Sequence, residues 1–325
     1  MRVRDSVIVI TGASSGIGRA SATAFAGAGA RAVVLVARRE EALREVAGAC
    51  ESSGAETLVA ALDITDAEAV TALARDVVDR FGRVDVWVNN AAVHLFGTVE
   101  EVPLEDFRRV LEVDILGYVH GARAVLPHMR AQGRGVLVNV ASVAGGIPQP
   151  YAAAYSMAKS AVRALSGSLR SELRLAGHTD IHVTAVLPAS VDTPLFQQAG
   201  NHTGREVVPM PPVYSVERAA RAILGVVRRP RREVVVGPLG RLMLLQSKVA
   251  PGLTEKMMAV QVDRTHLSRS RPAGATHGNL FTPSEDGRNR SADGGWGGRR
   301  RTARRRLLGG TVLLGGVLAV KRLLR

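Results

Sequence analysis

Short apolar runs rich in β-branched residues alternate along the first 236 residues with longer segments of helical periodicity. These runs predict buried strands, and the segments between them predict helices. The predicted strands are Val7 to Ile10, Ala32 to Ala37, Leu58 to Leu62, Val84 to Asn89, Val136 to Ser142, Ile181 to Leu187 and Glu233 to Val236. The predicted helices begin near Gly16, Glu40, Asp66, Glu105, Tyr155 and Val216. This alternation is typical of βαβ units and predicts an α/β fold with one doubly wound parallel sheet (Rossmann type) of about seven strands.

The pattern changes after Gly237. Residues 241–265 are apolar with helical periodicity, and we expect a helical extension near the substrate cleft or at a subunit interface. Residues 266–298 are rich in Gly, Ser, Asn, Arg and Pro, a composition typical of a flexible linker. The sequence therefore predicts one α/β domain over residues 1–240, followed by this extension, this linker and a basic, apolar tail over residues 299–325.

The net charge of +14 belongs mostly to the C-terminal end, because residues 266–325 carry +10 of it. Within the tail, Leu307 to Val320 is uncharged and would form a helix about 21 Å long, shorter than a hydrocarbon core of roughly 30 Å. Six arginines precede this stretch and favour anionic lipid on the cytoplasmic side. We predict membrane-lipid binding through residues 299–325, with a subunit-interface helix or a disordered basic tail as the alternatives. Nucleic-acid binding is not expected, because Trp296 is almost the only aromatic residue near the arginines.

The cysteine content and the N-terminal sequence indicate the cellular compartment in which the protein is expected. Cys50 is the only cysteine, so an intrachain disulfide and a cysteine metal cluster are excluded, and we predict no metal site. The apolar run from Val7 to Ile10 is shorter than the apolar core of a signal peptide. We expect a cytoplasmic domain, with the C-terminal tail as its attachment to the cytoplasmic side of a membrane.

The segment TGASSGIG directly follows the first predicted strand and opens the first predicted helix, with glycines at positions 12, 16 and 18. Glycines at this spacing allow the main chain to approach a pyrophosphate, and the helix N-terminus favours its negative charge. Arg38 and Arg39 follow the second strand, where an acidic residue would favour NAD, so we predict NADP as the cofactor and NAD as the alternative. The other interpretation of the arginines is a solvent-exposed helix start.

Two tyrosines and one lysine occur in the segment YAAAYSMAK. Tyr155 and Lys159 are four residues apart and share one face of a helix, whereas Tyr151 has no lysine at that spacing. A phenol with a pKa of about 10 needs a nearby cation to act as an acid or base near neutral pH. We therefore predict that Tyr155 is the catalytic tyrosine. Tyr151 is expected to form part of a pocket wall, with an aromatic residue on the lip of the cleft as the alternative.

The order of these motifs resembles the classical short-chain dehydrogenase/reductase (SDR) family over about residues 5 to 240. The resemblance rests on TGASSGIG, Asp63, NNAA at 89–92, Ser142, YSMAK and LPASVDT at 187–193. It implies that Tyr155 is the general acid in reduction and the base in oxidation, that Ser142 binds the substrate oxygen, and that Lys159 also holds the nicotinamide ribose. It further implies an oxidoreductase acting on CH–OH groups of a small-molecule substrate, and a homo-oligomer, either dimer or tetramer.

The resemblance also implies a set of cofactor contacts. These residues are Gly12, Ser14, Ser15, Gly16, Ile17, Gly18, Arg38, Arg39, Asp63, Ile64, Asn90, Ala91, Tyr155, Lys159, Pro188, Val191 and Thr193. Substrate identity is expected to lie in the loop from Ala189 to Tyr214 and in the helical extension. Leu195, Phe196 and Met210 indicate a lipophilic ketone, aldehyde or alcohol, although a lid needs apolar residues for its own packing. The expected substrate contacts are Tyr151, Leu195 and Phe196.

Three positions depart from the family pattern. Asp114 stands where the fourth catalytic residue of the family is normally Asn, and its charge would weaken the support that Lys159 gives to a phenolate. Ala92 and Ala189 replace glycines, which would strain the main chain wherever a positive φ is required. We expect retained but slower catalysis. The alternative function is a catalytically weakened NADP-binding sensor or membrane-associated scaffold on the same fold.

Overall fold

A computed structural model of the protein describes residues 1–284 and 291–297. Its strands are β1 Val7–Thr11, β2 Ala32–Ala37, β3 Glu56–Ala61, β4 Val86–Asn89, β5 Leu95–Phe96, β6 Gly135–Val140, β7 Ile181–Pro188, β8 Gly200–Asn201, β9 Arg205–Val207, β10 Glu233–Val236 and β11 Leu267–Pro272. The main sheet has seven parallel strands in the order β10-β7-β6-β4-β1-β2-β3. The predicted α/β fold with one doubly wound parallel sheet is confirmed.

Helices cover both faces of this sheet. They are α1 Gly16–Gly27, α2 Glu40–Glu51, α3 Ala67–Phe81, α4 Leu104–Leu111, α5 Gly117–Ala131, α6 Ala153–Leu175, α7 Val216–Arg228, α8 Pro238–Val249 and α9 Pro251–Thr265. Helices α1, α2 and α7 share one hydrophobic core, while α3, α5 and α6 share the other. The predicted helix near Glu105 is in fact two helices, α4 and α5, joined by a π-helical turn over Glu112–Leu116.

Strand β1 shows why these apolar runs become strands. Its side chains alternate between the two cores: Ile8 and Ile10 pack into one, and Val7 and Val9 into the other. All five residues of the strand are buried. A parallel sheet covered on both faces needs apolar residues at every position, which explains why the runs are continuous rather than alternating with polar residues.

The strand order reverses between β1 and β4, and this opens a crevice at the carboxyl ends of these two strands. Asn90 joins the two ends, because its side-chain amide donates to the carbonyl of Thr11 at 2.9 Å. The hydroxyl of Thr11 in turn accepts the main-chain N–H groups of Asn90 and Ala91 at 2.9 and 3.1 Å. The crevice therefore has a fixed width at the point where a nucleotide enters such a fold.

A buried hydrogen-bond chain ties α6 to the sheet. Asn89 donates to the side-chain oxygen of Asn139 at 2.9 Å, and Asn139 donates to the hydroxyl of Ser166 at 2.9 Å. Ser166 completes the chain by donating to the carbonyl of Val162 at 2.8 Å. All three polar residues are fully buried, so each needs its partner. The chain sets the position of the helix that carries Tyr155.

The C-terminal region differs from the predicted flexible linker. Strand β11 pairs antiparallel with β9, and Leu280 is fully buried in the core shared by α3, α5 and α6. Main-chain pairing and one apolar anchor therefore hold a segment whose composition is typical of disorder. The predicted membrane anchor falls on residues 299–325, which lie outside the described residues. Within the described ranges, none of the helices combines the length and apolar character needed to cross a bilayer.

We predict that Ser166→Ala lowers the free energy of unfolding by about 1–3 kcal/mol, because it leaves the buried Asn139 amide without its acceptor. The matched control is Ser168→Ala on the exposed side of the same helix, for which a change within about 0.5 kcal/mol is expected. Urea denaturation of both variants measures the difference. Equal stability of the two would show that this chain does not hold α6.

Candidate active site

A cavity of about 270 Å³ lies at the carboxyl edge of the main sheet. The predicted site residues that line it are Gly12, Ser14, Ser15, Gly16, Ile17, Arg38, Arg39, Asp63, Ile64, Asn90, Ala91, Ser142, Tyr155, Lys159, Pro188, Val191, Thr193, Leu195 and Phe196. Gly18, Asp114 and Tyr151 are not among its lining residues. The fold thus brings residues from seven separate stretches of sequence to one cavity.

The glycine-rich loop is tightly packed against the end of β4. Gly12 has a φ of +68°, and a Cβ there would lie 2.7 Å from the Cα of Ala91. A Cβ at Gly18 would overlap the carbonyl oxygen of Gly12, so Gly18 serves close helix–strand packing rather than lining the cavity. The loop can therefore bring main-chain N–H groups to a phosphate only with glycine at these two positions.

The end of the cavity near β2 and β3 is rich in charge. Arg109 forms an ion pair with Asp63, and Thr65 donates to the Asp63 carboxylate from its N–H and its hydroxyl at 3.0 and 2.9 Å. Burial alone would raise the pKa of Asp63, but these hydrogen bonds and the Arg109 charge hold the pKa below its usual value. Arg38 lies close enough to interact with Asp63 and Arg109. This end of the cavity therefore combines cations with a carboxylate that is ionised at neutral pH.

Ser142, Tyr155 and Lys159 meet at the other end of the cavity. Tyr155 and Lys159 lie in the first two turns of α6, and Lys159 Nζ is 5.4 Å from the centre of the Tyr155 ring. Ser142 follows β6, and its hydroxyl accepts the N–H of Ala144 at 3.1 Å, which holds the side chain at the strand end. The strand end and the helix thus present two hydroxyl groups and one ammonium group to the same space.

The pKa of Tyr155 reflects opposing effects. Burial raises it most, and the charge of Asp114 raises it further, while Lys159 and a hydrogen bond with Ser142 lower it. The net direction is upward. These surroundings therefore keep Tyr155 protonated at neutral pH, which is the form needed to donate a proton.

Asp114 forms a buried ion pair with Lys159. Its Oδ2 lies 2.9 Å from Lys159 Nζ, and the two side chains are 0% and 1% exposed. Its Oδ1 accepts the main-chain N–H of Val93 at 2.8 Å. Burial raises the pKa of Asp114, and Lys159 opposes this shift. Asp114 thus contacts Lys159 from the side away from the cavity lining, and its carboxyl group lies directly beside the lysine.

The family model for short chain dehydrogenases matches residues 6–204 of the chain. The chain belongs to the short-chain dehydrogenase family. The uncharacterized oxidoreductase YxnA of Bacillus subtilis is 34% identical over 259 residues, which cover 79% of the chain and 72% of that protein. The predicted family membership and the oxidoreductase class are confirmed.

Two solved structures resemble this dehydrogenase in fold and sequence. A Burkholderia phymatum short-chain dehydrogenase/reductase in complex with NAD has a TM-score of 0.68 and 28% identity, covering 77% of this chain and 96% of its own. An alcohol dehydrogenase of Thermococcus sibiricus, complexed with 5-hydroxy-NADP, has a TM-score of 0.62 and 30% identity, covering 71% and 95%. The family relatives bind either dinucleotide, so nucleotide binding is common to the group while the choice between NAD and NADP differs.

Two histidines that the sequence analysis did not single out line the end of the cavity where Ser142, Tyr155 and Lys159 meet. We call this end the catalytic end. His94 is 2% exposed and stacks on Tyr155, with ring centroids 4.0 Å apart. Burial lowers the pKa of His94 well below its usual value and that of His266 to about 4, so both rings are neutral at pH 7. His266 packs edge-on against Phe96 and Phe196. The position of His94 just after the NNAA motif was the available signal, but its side-chain direction depends on tertiary packing.

Tyr151 does not form the predicted pocket wall of this dehydrogenase. It adopts a φ of +60°, and its carbonyl accepts the N–H of Gly97 at 2.9 Å. Its ring packs with two hydrophobic clusters, some of whose members line the cavity, but Tyr151 itself is not among the lining residues. The substituted glycine positions Ala92 and Ala189 carry no positive φ, since Asp5 and Tyr151 are the non-glycine residues with positive φ in the described ranges. The possible strain at both alanines is therefore absent.

We predict that Asp114→Asn matches or exceeds wild-type activity and shifts the pH profile of alcohol oxidation towards lower pH. Asp114 raises the pKa of Tyr155, so removing its charge lowers that pKa and makes the phenolate base available at lower pH. The matched control is Glu112→Gln, which removes an exposed carboxylate from the same π-helical turn. The measurement is kcat/KM between about pH 6 and 10, because this range includes the pH at which a tyrosine with a lowered pKa would ionise. A large loss of activity at every pH, or a shift to higher pH, would contradict the prediction.

Proposed function

We propose that the protein is an NADP-dependent oxidoreductase that transfers a hydride between the nicotinamide and the carbonyl or hydroxyl carbon of a lipophilic ketone, aldehyde or alcohol. The observation that carries the proposal is the joint position of Ser142, Tyr155 and Lys159 on one cavity that also includes the glycine-rich loop. A protein that only bound a dinucleotide would need the loop but not the three reactive groups.

Each reactive group has a separate task. In reduction, the Tyr155 hydroxyl gives its proton to the substrate oxygen, and the Lys159 charge stabilises the phenolate that remains. The Ser142 hydroxyl donates a hydrogen bond to the same oxygen as negative charge develops on it. In oxidation, the phenolate takes the proton back. A bound nicotinamide cofactor supplies or accepts the hydride in these two directions.

The positive charge near the ends of β2 and β3 favours NADP over NAD, and we call this part of the cavity the adenosine end. Arg38 and Arg39 both line it, and a guanidinium group can bind a 2′-phosphate through charge-assisted hydrogen bonds. Asp63 lies in the same region but is already paired with Arg109. The glycine-rich loop would hold the pyrophosphate, and Val191 and Thr193, which also line the cavity, would bind the nicotinamide amide.

A lipophilic substrate is favoured by the composition of the catalytic end. Phe196, Met210, Met243 and Met258 line the cavity there, the last two from the helices α8 and α9. The neutral rings described above add no charge to this wall. A neutral carbonyl compound with an apolar substituent fits such a surface, because each apolar group removed from water is stabilised by the contact.

The second candidate function is a dinucleotide-binding sensor or scaffold with weakened catalysis. The observation that favours it is the buried ion pair between Asp114 and Lys159 at 2.9 Å, which competes with the phenolate for the lysine charge. The intact Tyr155 and Ser142 favour the enzyme instead, since a sensor has no need of both groups.

We predict NADPH-dependent reduction of lipophilic ketones or aldehydes, with kcat at least about 10²-fold lower in Tyr155→Phe because the proton donor is removed. Tyr151→Phe is the matched control and should remain within about a factor of three of wild type, because the ring keeps its packing outside the cavity. The decrease in absorbance of the reduced nicotinamide measures turnover across a panel of neutral carbonyl compounds. Equal loss in both variants, or full activity of Tyr155→Phe, would refute the assignment of Tyr155.

We also predict that Arg38→Leu lowers the ratio of kcat/KM for NADPH to that for NADH by about tenfold or more, because one charged partner of the 2′-phosphate is lost. The ratio isolates the phosphate, since any general damage to the site affects both cofactors. Arg44→Leu, which replaces an exposed arginine of α2, is the control with an unchanged ratio. A wild-type preference for NADH would reject NADP as the cofactor while leaving the oxidoreductase assignment in place.

A further inference from the structure

One half of the cavity is lined by the glycine-rich loop, Arg38 and Asp63, and we call it the cofactor half. Two C-terminal stretches, residues 276–284 and 291–297, lie against this half, and we call them the C-terminal strap. The first stretch is held by Arg38, whose guanidinium donates to the carbonyls of Asn279, Leu280 and Phe281 at 2.6, 3.3 and 2.9 Å. Arg109 adds a bond from its Nε to the Leu280 carbonyl at 3.0 Å. An arginine of the expected 2′-phosphate site therefore also fixes the strap.

The second stretch is held at the opposite end of the cofactor half. The carboxylate of Asp192 accepts the main-chain N–H groups of Gly294, Trp296 and Gly297 at 3.0, 2.9 and 2.6 Å. In addition, the N–H of Gly16 in the glycine-rich loop donates to a main-chain carbonyl of this stretch, that of Ser291, at 3.1 Å. The strap thus touches the adenosine end, the phosphate loop and the segment beside Thr193.

The first stretch of the strap forms part of the cavity lining. Asn279, Pro283 and Ser284 line the same cavity as Asp63 and the glycine-rich loop, and that cavity continues to Tyr155. A guanidinium group has five N–H donors, and the strap carbonyls accept from the two terminal nitrogens of Arg38. Within the described part of the chain, Arg38 therefore keeps donor capacity for a phosphate while it holds the strap.

We propose that the C-terminal strap is the outer wall of the dinucleotide site and has to lift before the cofactor enters or leaves. This inference rests on the proposed function, since it takes the cavity to be a dinucleotide site. Asn279, Pro283 and Ser284 are then contacts of the adenosine half, contributed by a part of the chain outside the match to the family model, which ends at residue 204.

The energetic consequence is slow release of the cofactor. Lifting the strap breaks the bonds to Arg38 and Asp192 and exposes Leu280, which is 0% exposed when the strap is docked. These losses precede both entry and release of the cofactor, so they lower the association rate as well as the dissociation rate. A bound phosphate also stabilises the docked strap, because the Arg38 side chain then forms hydrogen bonds to the phosphate and to the strap at the same time.

The test uses the full chain with one glycine changed. Gly278 has a φ of +54°, and a Cβ there would overlap the carbonyl oxygen of Gln198, so Gly278→Ala is expected to undock the strap. Gly274→Ala is the matched control, because a Cβ at Gly274 meets no atom within 4 Å. Neither residue lines the cavity. Thermal denaturation of both variants checks that the domain remains folded.

The measurement is the rate at which excess NADP⁺ displaces NADPH, followed by NADPH fluorescence in a stopped-flow instrument. We expect NADPH to leave Gly278→Ala at least about tenfold faster than wild type, and Gly274→Ala to remain within about twofold. Amide hydrogen exchange on the wild-type protein is the second measurement and needs no variant. The Asn279 N–H, which donates to the Gln198 carbonyl at 2.8 Å, should exchange more slowly when NADPH is bound.

Each other outcome rejects the proposal in a recognisable way. Equal release rates in all three proteins, or Asn279 exchange that is unaffected by NADPH, would show that the strap is not part of the site. Tighter NADPH binding by Gly278→Ala would show that the strap competes with the cofactor instead of enclosing it. Failure of every protein to bind NADPH or NADH would overturn the proposed function itself, and the strap with it.

Discussion

The buried ammonium group of Lys159 is the constraint on which the arrangement of the catalytic end depends. Removing such an ion from water costs several kcal/mol unless acceptors surround it. Asp114 lies 2.9 Å from it, the Tyr118 hydroxyl accepts from it at 3.3 Å, and the carbonyl of Val140 lies at 3.5 Å. These acceptors come from the π-helical turn, from α5 and from the end of β6. Satisfying one charge therefore holds three elements together around Tyr155.

The main sheet was predictable because burial on both faces leaves a direct record in the sequence. The bounds of β2 and β10 agree with the apolar runs Ala32 to Ala37 and Glu233 to Val236, since every position of a covered parallel strand favours an apolar residue. The π-helical turn at Glu112–Leu116 was not predictable in the same way. It depends on contacts of Asp114 with Val93 and Lys159, which are distant in sequence and leave no periodic pattern.

The candidate site also has a part that was predictable from the sequence and a part that was not. Residues at strand ends were predictable, because parallel topology brings every carboxyl end to one edge of the sheet. The strap was not, because its docking uses main-chain carbonyls and N–H groups that any residue possesses. The side chains that determine where the strap docks are Arg38, Arg109 and Asp192, and the fold of the domain sets their positions. A glycine-rich and arginine-rich composition therefore indicated a linker in a segment that the rest of the molecule holds in place.

The two ends of the cavity differ in charge, and this difference bears on the substrate. Arg38 and Arg109 make the cofactor half cationic, which suits the phosphates of a dinucleotide. At the catalytic half the Lys159 charge is matched by Asp114, and burial keeps His94 and His266 neutral. A substrate carboxylate placed there would lose its hydration without gaining a cation, whereas a neutral carbonyl needs only the hydroxyl donors of the site. The electrostatics of the cavity thus favour an anionic ligand at one end and an uncharged ligand at the other.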